Sequence, residues 1–453
     1  MEFKMDERIL YYIWLSSALR VGSRTAKTVL EHFGDIEKVF SAQKEDLKGL
    51  GLSFSDEAAL CNKDLTMAKK YYEYCLQSKT GILCYSDSEY PERLKLIPNP
   101  PPLLYYKGRL KLLDDYPCIT MVGTRSCSER GFRLAYETAF DAASKGAVIV
   151  NGLALGIDGA CIAGCLDANG YAVGVLGCGI DRIYPEGNSD LFTRLAASGL
   201  ILSEFPPFTS PTGTNFPVRN RVISALSLAA VIFEADEKSG AMITARHALE
   251  QGKRIFAVPG KPYDKSYSGP LELIKDGATV FTEADDVLTE YSMNFPHRIN
   301  LANINRPSKD KLDAYVARFF KKDSDPDAPV NRRFGKKTSS GKAASPVKDT
   351  AATPVTAQTE PKVMSVQTEA RSEAKTEAKS EAKDAATSYS GRDLSVLSPL
   401  ERQVYALFEK SESLSPDEIA SQGFKIDDIL TAVTLLEIYG LIHPLPGGRF
   451  KKA

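Results

Sequence analysis

Histidine, tryptophan and net charge are all scarce in this chain, whose 453 residues carry four histidines, one tryptophan and a formal net charge of −1. Each scarcity narrows the functions open to it. A near-neutral total gives no global attraction to nucleic acid or to a membrane surface, so any polyanion partner must be read from local clusters. The cysteines, at 61, 75, 84, 118, 127, 161, 165 and 178, form no Cys-x-x-Cys pair and no Cys/His ligand spacing. That argues against a zinc site or a disulfide framework and for reduced thiols inside apolar runs. The N-terminus shows no cleavable signal, and no uncharged apolar run is long enough to span a bilayer, so a cytoplasmic protein without membrane contact is expected. Signatures of catalysis are missing too: there is no Gly-x-Ser-x-Gly, no His-Glu-x-x-His and no Walker lysine motif. The nearest approach to a phosphate loop, Gly335 to Ala343, is one residue too long, lacks the Ser/Thr after Lys342 and follows no strand. His247 reads as a packing or surface histidine, and no cofactor is expected.

What is present divides into four regions. Residues 1–80 show apolar spacing near 3.6 with glycine stops, the pattern of short helices. From about 118 to 285 the pattern becomes β-branched runs separated by helix-length spacers: ITMVG, AVIVNG, AVGVLG, LILSEF, AAVIFEA, RIFAVPG and a possible seventh, ATVF. The runs are apolar throughout, as strands covered on both faces are, and this predicts an α/β fold with a doubly wound, mostly parallel sheet. The core is placed at 81–300. Residues 322–393 read as a disordered linker, with no aromatic residue between Gly335 and Ser388 and a charged EAK repeat. Residues 394–453 regain periodicity, with capping boxes at Ser398 and Ser415, a third helix through ILTAVTLLEIYG and a hairpin around Pro446-Gly447-Gly448. Three helices and a hairpin are the layout of a winged helix.

In an open parallel sheet, ligands bind outside the carboxyl ends of the strands. Here those ends carry Gly123-Thr124-Arg125-Ser126, then Gly152 to Gly159, then Gly177-Cys178-Gly179-Ile180-Asp181-Arg182. They also carry NFPVRNRVISALS at 215–227, SGAMITAR at 239–246 and Pro259-Gly260-Lys261. The first loop is not the dinucleotide fingerprint, yet a glycine, a hydroxyl and an arginine at a helix start suit a phosphate. Asp158 and Asp181 read most simply as caps of helices or turns. Arg219 and Arg221 have two readings. Either they pair with remote acids such as Glu204, Glu234 or Asp236, or they join Arg125, Arg182 and Lys261 in loops on one rim that grips a phosphate-bearing ligand. Basic groups interleaved with an aromatic, Phe216, suit a single strand.

The motifs VGTR, GLALGID, GVLGCGIDRIYPEGN, SEFPP, FPVRNRVISALS, SGAMITARHALEQGK and VPGKP occur in order from 122 to 262. Together they resemble the DNA-processing protein A family (DprA, also called Smf). The resemblance implies a modified Rossmann-like core that binds single-stranded DNA, forms a homodimer and helps load a RecA recombinase in natural transformation, with no enzymatic activity. It implies a DNA pocket at Gly123, Thr124 and Arg125 and at Arg219, Asn220 and Arg221, with Phe216 and Lys261 carried over beside them. One departure is Asn151, where the family has Ser before Gly-Leu. The N-terminal region is SAM- or helix-hairpin-helix-like, with Val21-Gly22-Ser23 as a hairpin that either offers amides to phosphate or only packs. The winged helix, with basic residues Arg449, Lys451 and Lys452, meets either protein or duplex. The alternative function is a nucleotide hydrolase of the lysine-decarboxylase-like phosphoribohydrolase group, but that chemistry needs a positioned carboxylate and the corresponding loop has no acid before Glu250.

Overall fold

The computed structural model describes residues 6–261, 263–321, 399–408, 411, 413–422, 424, 429, 432–433, 436, 441–445 and 449–452. The expected linker, 322–393, lies outside them, as do Pro446 to Gly448 and much of the expected third C-terminal helix. The described residues through Lys321 belong to one compact unit and those from Pro399 to a second.

The first unit begins with α1 (Glu7–Ala18), α2 (Thr25–Phe33), α3 (Ile36–Ser41), α4 (Phe54–Cys61) and α5 (Thr66–Gln77). Asp6, Asp35 and Ser53 cap α1, α3 and α4 by accepting from backbone amides, which satisfies donors the helices leave orphaned. Next come β1 (Gly81–Cys84), α6 (Glu92–Lys95) and β2 (Leu103–Gly108). Then β3 (Cys118–Val122), α7 (Glu129–Ser144), β4 (Val148–Asn151), α8 (Ile157–Asp167), β5 (Ala172–Leu176), α9 (Ser189–Ser198) and β6 (Leu200–Ser203) alternate. The series continues with α10 (Asn215–Ala225), β7 (Ala229–Ile232), α11 (Gly240–Glu250), β8 (Arg254–Ala257), α12 (Ser268–Lys275), β9 (Thr279–Val280), α13 (Ala284–Tyr291) and α14 (Lys309–Lys321).

One nine-stranded sheet runs β1-β2-β6-β5-β4-β3-β7-β8-β9. The seven strands from β6 to β9 pair in parallel, and β2 and β1 are added antiparallel at one edge. Within it, β5-β4-β3-β7-β8-β9 reproduces the doubly wound order of a Rossmann-like sheet. Strands β3 to β7 are buried at every position, as their unbroken apolar runs require. The edge strands β1 and β2 are absent from the sequence reading; they are joined by a proline-rich connection, and an antiparallel addition has no helical spacer to announce it.

Two further features exceed that reading. Leu10, Ile13 and Trp14 of α1 share a hydrophobic cluster with Cys84 and Tyr105 of the sheet edge, so the helical region is packed into the core. Helix α14 straps α7: the Phe319 ring lies tilted 5.1 Å from Phe132, and Arg133 pairs with Asp313 at 2.6 Å. All eight cysteines are unpaired; seven are buried and Cys61 is exposed. No helix among the described residues is long and apolar enough to cross a membrane.

The second unit contains α15 (Pro399–Leu407), α16 (Pro416–Ala420), β10 (Ile442–Leu445) and β11 (Arg449–Lys452), with the two strands antiparallel. The capping box at Ser415 is formed in both directions: the Glu418 amide donates to Ser415 Oγ, and the Ser415 amide donates to Glu418 Oε2. Arg449, expected at a basic tip, instead donates to Glu418 and to the Ser413 carbonyl.

Candidate nucleic-acid interface

The loops after β3, β4 and β5 and the first turns of α10 border an open cleft with about 50 Å³ of room for water-sized groups. Its lining includes Arg125, Gly152, Leu155, Gly177, Tyr184, Phe216 and Arg219. Phe216 is its centre. The ring stacks on Tyr184 with centroids 5.6 Å apart, and the Arg125 and Arg219 guanidinium carbons lie 4.8 and 5.8 Å from its centroid. Two cations on one half-buried aromatic ring, one of them the exposed Arg125, form a surface for a π-faced anion.

Close backbone approach builds this geometry. A Cβ on Gly152 would lie 2.5 Å from Arg219 Nη2, and one on Gly177 would lie 2.6 Å from the Phe216 ring. Both glycines are therefore what allows α10 to press its side chains onto the strand ends. Arg219 is 5% exposed. Its Nη1 donates to the Gly152 carbonyl at 3.2 Å and to the Val175 carbonyl, and its Nε donates to Asn220 Oδ1. Its Nη2 has no hydrogen-bond acceptor among the described residues, and Arg219 is one of the residues that line the cleft. Burial lowers the Arg219 pKa to about 10, which leaves the group charged at neutral pH.

The floor is held by Asn151 and Asp158. Asp158 accepts from the Gly152 and Ala154 amides, while Asn151 donates to the Asp158 carbonyl and accepts from the Leu153 amide. Burial raises the Asp158 pKa, against the pull of Arg219 and those amides. Asn151 is fully buried, so its amide shapes the loop and does not face the cleft. Asn188, which the sequence analysis held only as the last residue of GVLGCGIDRIYPEGN, ties the same loop by donating to the Leu153 and Ala154 carbonyls.

The remaining residues of the expected rim separate. FPVRNR is helix, not loop, and Arg221 points to the other side of it. Arg221 is 3% exposed and its Nη2 donates to both oxygens of Glu204, at 2.6 and 2.7 Å. The expectation that Arg221 waits for a phosphate is thus corrected: a carboxylate at the end of β6 already holds it. Asn220 is also turned inward, donating to the Gly240 carbonyl. Arg182 pairs with Asp181 at 3.4 Å outside the cleft, and exposed Lys261 is not among its lining residues. Gly123 and Thr124 carry the Arg125 loop, and the Thr124 amide donates to the Glu234 carbonyl. Arg125 itself is exposed and has no carboxylate partner among the described residues.

The family profile described as DNA recombination-mediator protein A matches residues 81–292. The protein Smf of Synechocystis is 36% identical over 61% of this chain and 71% of its own length. The DNA processing protein DprA of Bacillus subtilis is 42% identical over 45% of this chain and 69% of its own. This chain belongs to the DprA/Smf family. Its fold is shared with DNA processing protein A of Streptococcus pneumoniae, whose X-ray structure superposes with a TM-score of 0.55 at 32% identity, covering 64% of this chain and 99% of that one.

Within the DprA/Smf fold, the crevice between β3 and β7 is where a doubly wound sheet ordinarily receives a nucleotide phosphate, on the first turn of the helix after the first strand. Here that turn is filled by Glu234, which is 1% exposed. The Ser128 amide donates to its Oε2 at 2.7 Å, while the Ser128 hydroxyl and Tyr267 hydroxyl donate to Oε1. The open cleft is displaced to the neighbouring strand ends, over β4 and β5. Nothing local in the sequence marked Glu234 for this place, because Ser128 lies 106 residues away from it. Tyr184 was legible only as part of GIDRIYPEGN.

Proposed function

We propose that this cleft holds a nucleotide of single-stranded DNA, with Phe216 as the stacking ring and with Arg125 and Arg219 Nη2 as the phosphate donors. The single observation that carries this is the arrangement of two guanidinium groups on one recessed aromatic ring, one of them exposed and unpaired. A base reaches a recessed ring only when it is not engaged in a duplex, so the geometry favours single strands. Gly123 and Thr124 act by placing Arg125; Asn220 and Arg221 act by placing Arg219 and α10. Lys261 extends the positive charge from the end of β8.

The role that follows is that of a recombination mediator, the words in which the matched family is described, and a mediator without catalysis is the reading proposed here. The expectations that it acts as a homodimer, hands its strand to a RecA-type recombinase and serves natural transformation in the cytoplasm are supported by family membership. The winged-helix reading of the second unit is supported by its two capped or proline-started helices and antiparallel strand pair. The hydrolase alternative draws no support from the cleft. Asp158 is spent on two amides, and the Cys178 thiol is pushed up to about 11 by burial, far from a thiolate at neutral pH.

Fluorescence anisotropy of the full chain with labelled oligothymidylate, beside a duplex of equal length, tests the proposal. Single strands should bind more tightly, with log affinity falling against log salt by about 0.7 per phosphate neutralised. Equal affinity for duplex would overturn the pocket reading. Release of free base from a nucleoside monophosphate would revive the hydrolase.

A further inference from the structure

A second aromatic and basic surface lies on the far side of the loop that walls the cleft. That loop, Gly177 to Pro185, meets Phe216 at Gly177 and contributes Tyr184 to the cleft. At its middle it is pinned to the segment after β6. The Gly179 amide donates to the Thr209 carbonyl, Asp181 Oδ1 accepts from the Phe208 amide at 2.6 Å, and Arg182 donates to the Phe208 carbonyl. These bonds hold Phe208 at φ +73°, a left-handed conformation that a bulky residue adopts only when its surroundings impose it. The result is an exposed phenylalanine, 43% of Phe208 being accessible.

The ring does not stand alone. Tyr74 meets it edge-on with centroids 5.0 Å apart, Tyr71 lies at 6.4 Å and Lys70 Nζ lies 5.7 Å from its centroid. All three belong to one stripe of α5, at spacings of three and four. Arg182, its side chain 45% exposed, closes the patch from the cleft side beside exposed Ile183. Aromatic faces flanked by cations, continuous through one loop with a ring that already has two arginines on it, match the chemistry of a strand that runs on past the first base.

We propose that the Phe208–Tyr74–Lys70 surface is a second stacking subsite, which takes the neighbouring nucleotides of the same single strand and so brings the N-terminal helical region into DNA binding. This rests on the pocket reading above, and it assigns the helical region a contact through α5, not through the Val21-Gly22-Ser23 hairpin. The hairpin is occupied otherwise: Gly22 packs on Val218 and Arg221 of α10, and its carbonyl accepts from Asn99.

The full chain decides this with two oligothymidylates, one of about 4 nucleotides that fills only the cleft and one of about 16 that reaches further. Phe208→Ala and, independently, the surface change Lys70→Glu should weaken the long oligomer about tenfold and leave the short one unchanged. Lys70→Glu should also reduce the salt slope of the long oligomer by about 0.7. Phe208→Trp, which keeps a ring, should retain parental affinity. Unchanged affinity for the long oligomer in both weakening variants makes the patch a protein-contact surface and overturns the proposal while the pocket stands. Equal losses for both lengths also overturn it, since the patch would then act only through the cleft. A parent chain that binds neither oligomer removes the pocket reading and the extended path together.

Discussion

The two faces of α10 carry arginines two residues apart with opposite fates. At about 100° per residue, positions 219 and 221 point to opposite sides of the helix. On one side Arg219 shares a face with Phe216, leans on backbone carbonyls and lines the open cleft. On the other, Arg221 is held by Glu204 under the N-terminal hairpin and reaches no ligand. An arginine with no acid near it in sequence is therefore not an arginine without a partner. The acid for Arg221 arrives from a strand end 17 residues earlier. The difference teaches that a helix can carry binding on one face only if the opposite face is anchored, and here both tasks fall to the same residue type.

The sharpest way to break this comparison is Arg221→Ala. It leaves Glu204 buried without its partner, a loss of about 3–5 kcal/mol in folding stability by denaturant titration. Molecules that remain folded should bind oligonucleotide with the parental salt slope, because no phosphate contact has been removed. A stable Arg221→Ala protein with a reduced slope would return Arg221 to the cleft. Arg125→Glu should do the reverse. Its side chain is exposed and unpaired, so the melting curve should hardly move, while affinity for single strands falls roughly tenfold or more, the scale of one charge-assisted hydrogen bond. Phe216→Ala comes next, with a loss of about 2 kcal/mol in oligonucleotide binding from the missing stack, measured by anisotropy.

Why Arg219 and Arg221 could not be told apart in the sequence has a physical answer. The strands of the parallel sheet announce themselves by continuous apolar runs, and the glycine-dense loops by their place after those runs. Whether FPVRNR was loop or helix was not announced, because Pro217 and a mixed polar pattern blur the helical period, and only the helix separates the two faces. Arg125 and Phe216 were legible because a strand end and a short motif suffice to place them. Asn188, which holds the Leu153 and Ala154 carbonyls, was not, since its partners lie about 35 residues earlier. The same holds for β2, made a strand by pairing with β6, and for β1, made one by pairing with β2, neither by a pattern of its own.

The crevice between β3 and β7 offers the smallest and most specific test. It has the helix start that binds phosphates in related sheets, yet Glu234 supplies the negative charge from within the chain. In Glu234→Gln the amide oxygen keeps the Ser128 N–H, while its NH2 must donate to the Ser128 and Tyr267 hydroxyls, which lose their charged acceptor. The fold should lose about 1–2 kcal/mol, read as a lowered midpoint in urea. Oligonucleotide affinity should be unchanged, because Glu234 is not part of the cleft lining. Were binding to fall with stability, the crevice and the cleft would be one coupled site. An unchanged affinity instead separates a self-filled phosphate seat from an open one on the same sheet edge, and explains how a doubly wound sheet comes to hold a strand of nucleic acid away from its usual nucleotide position.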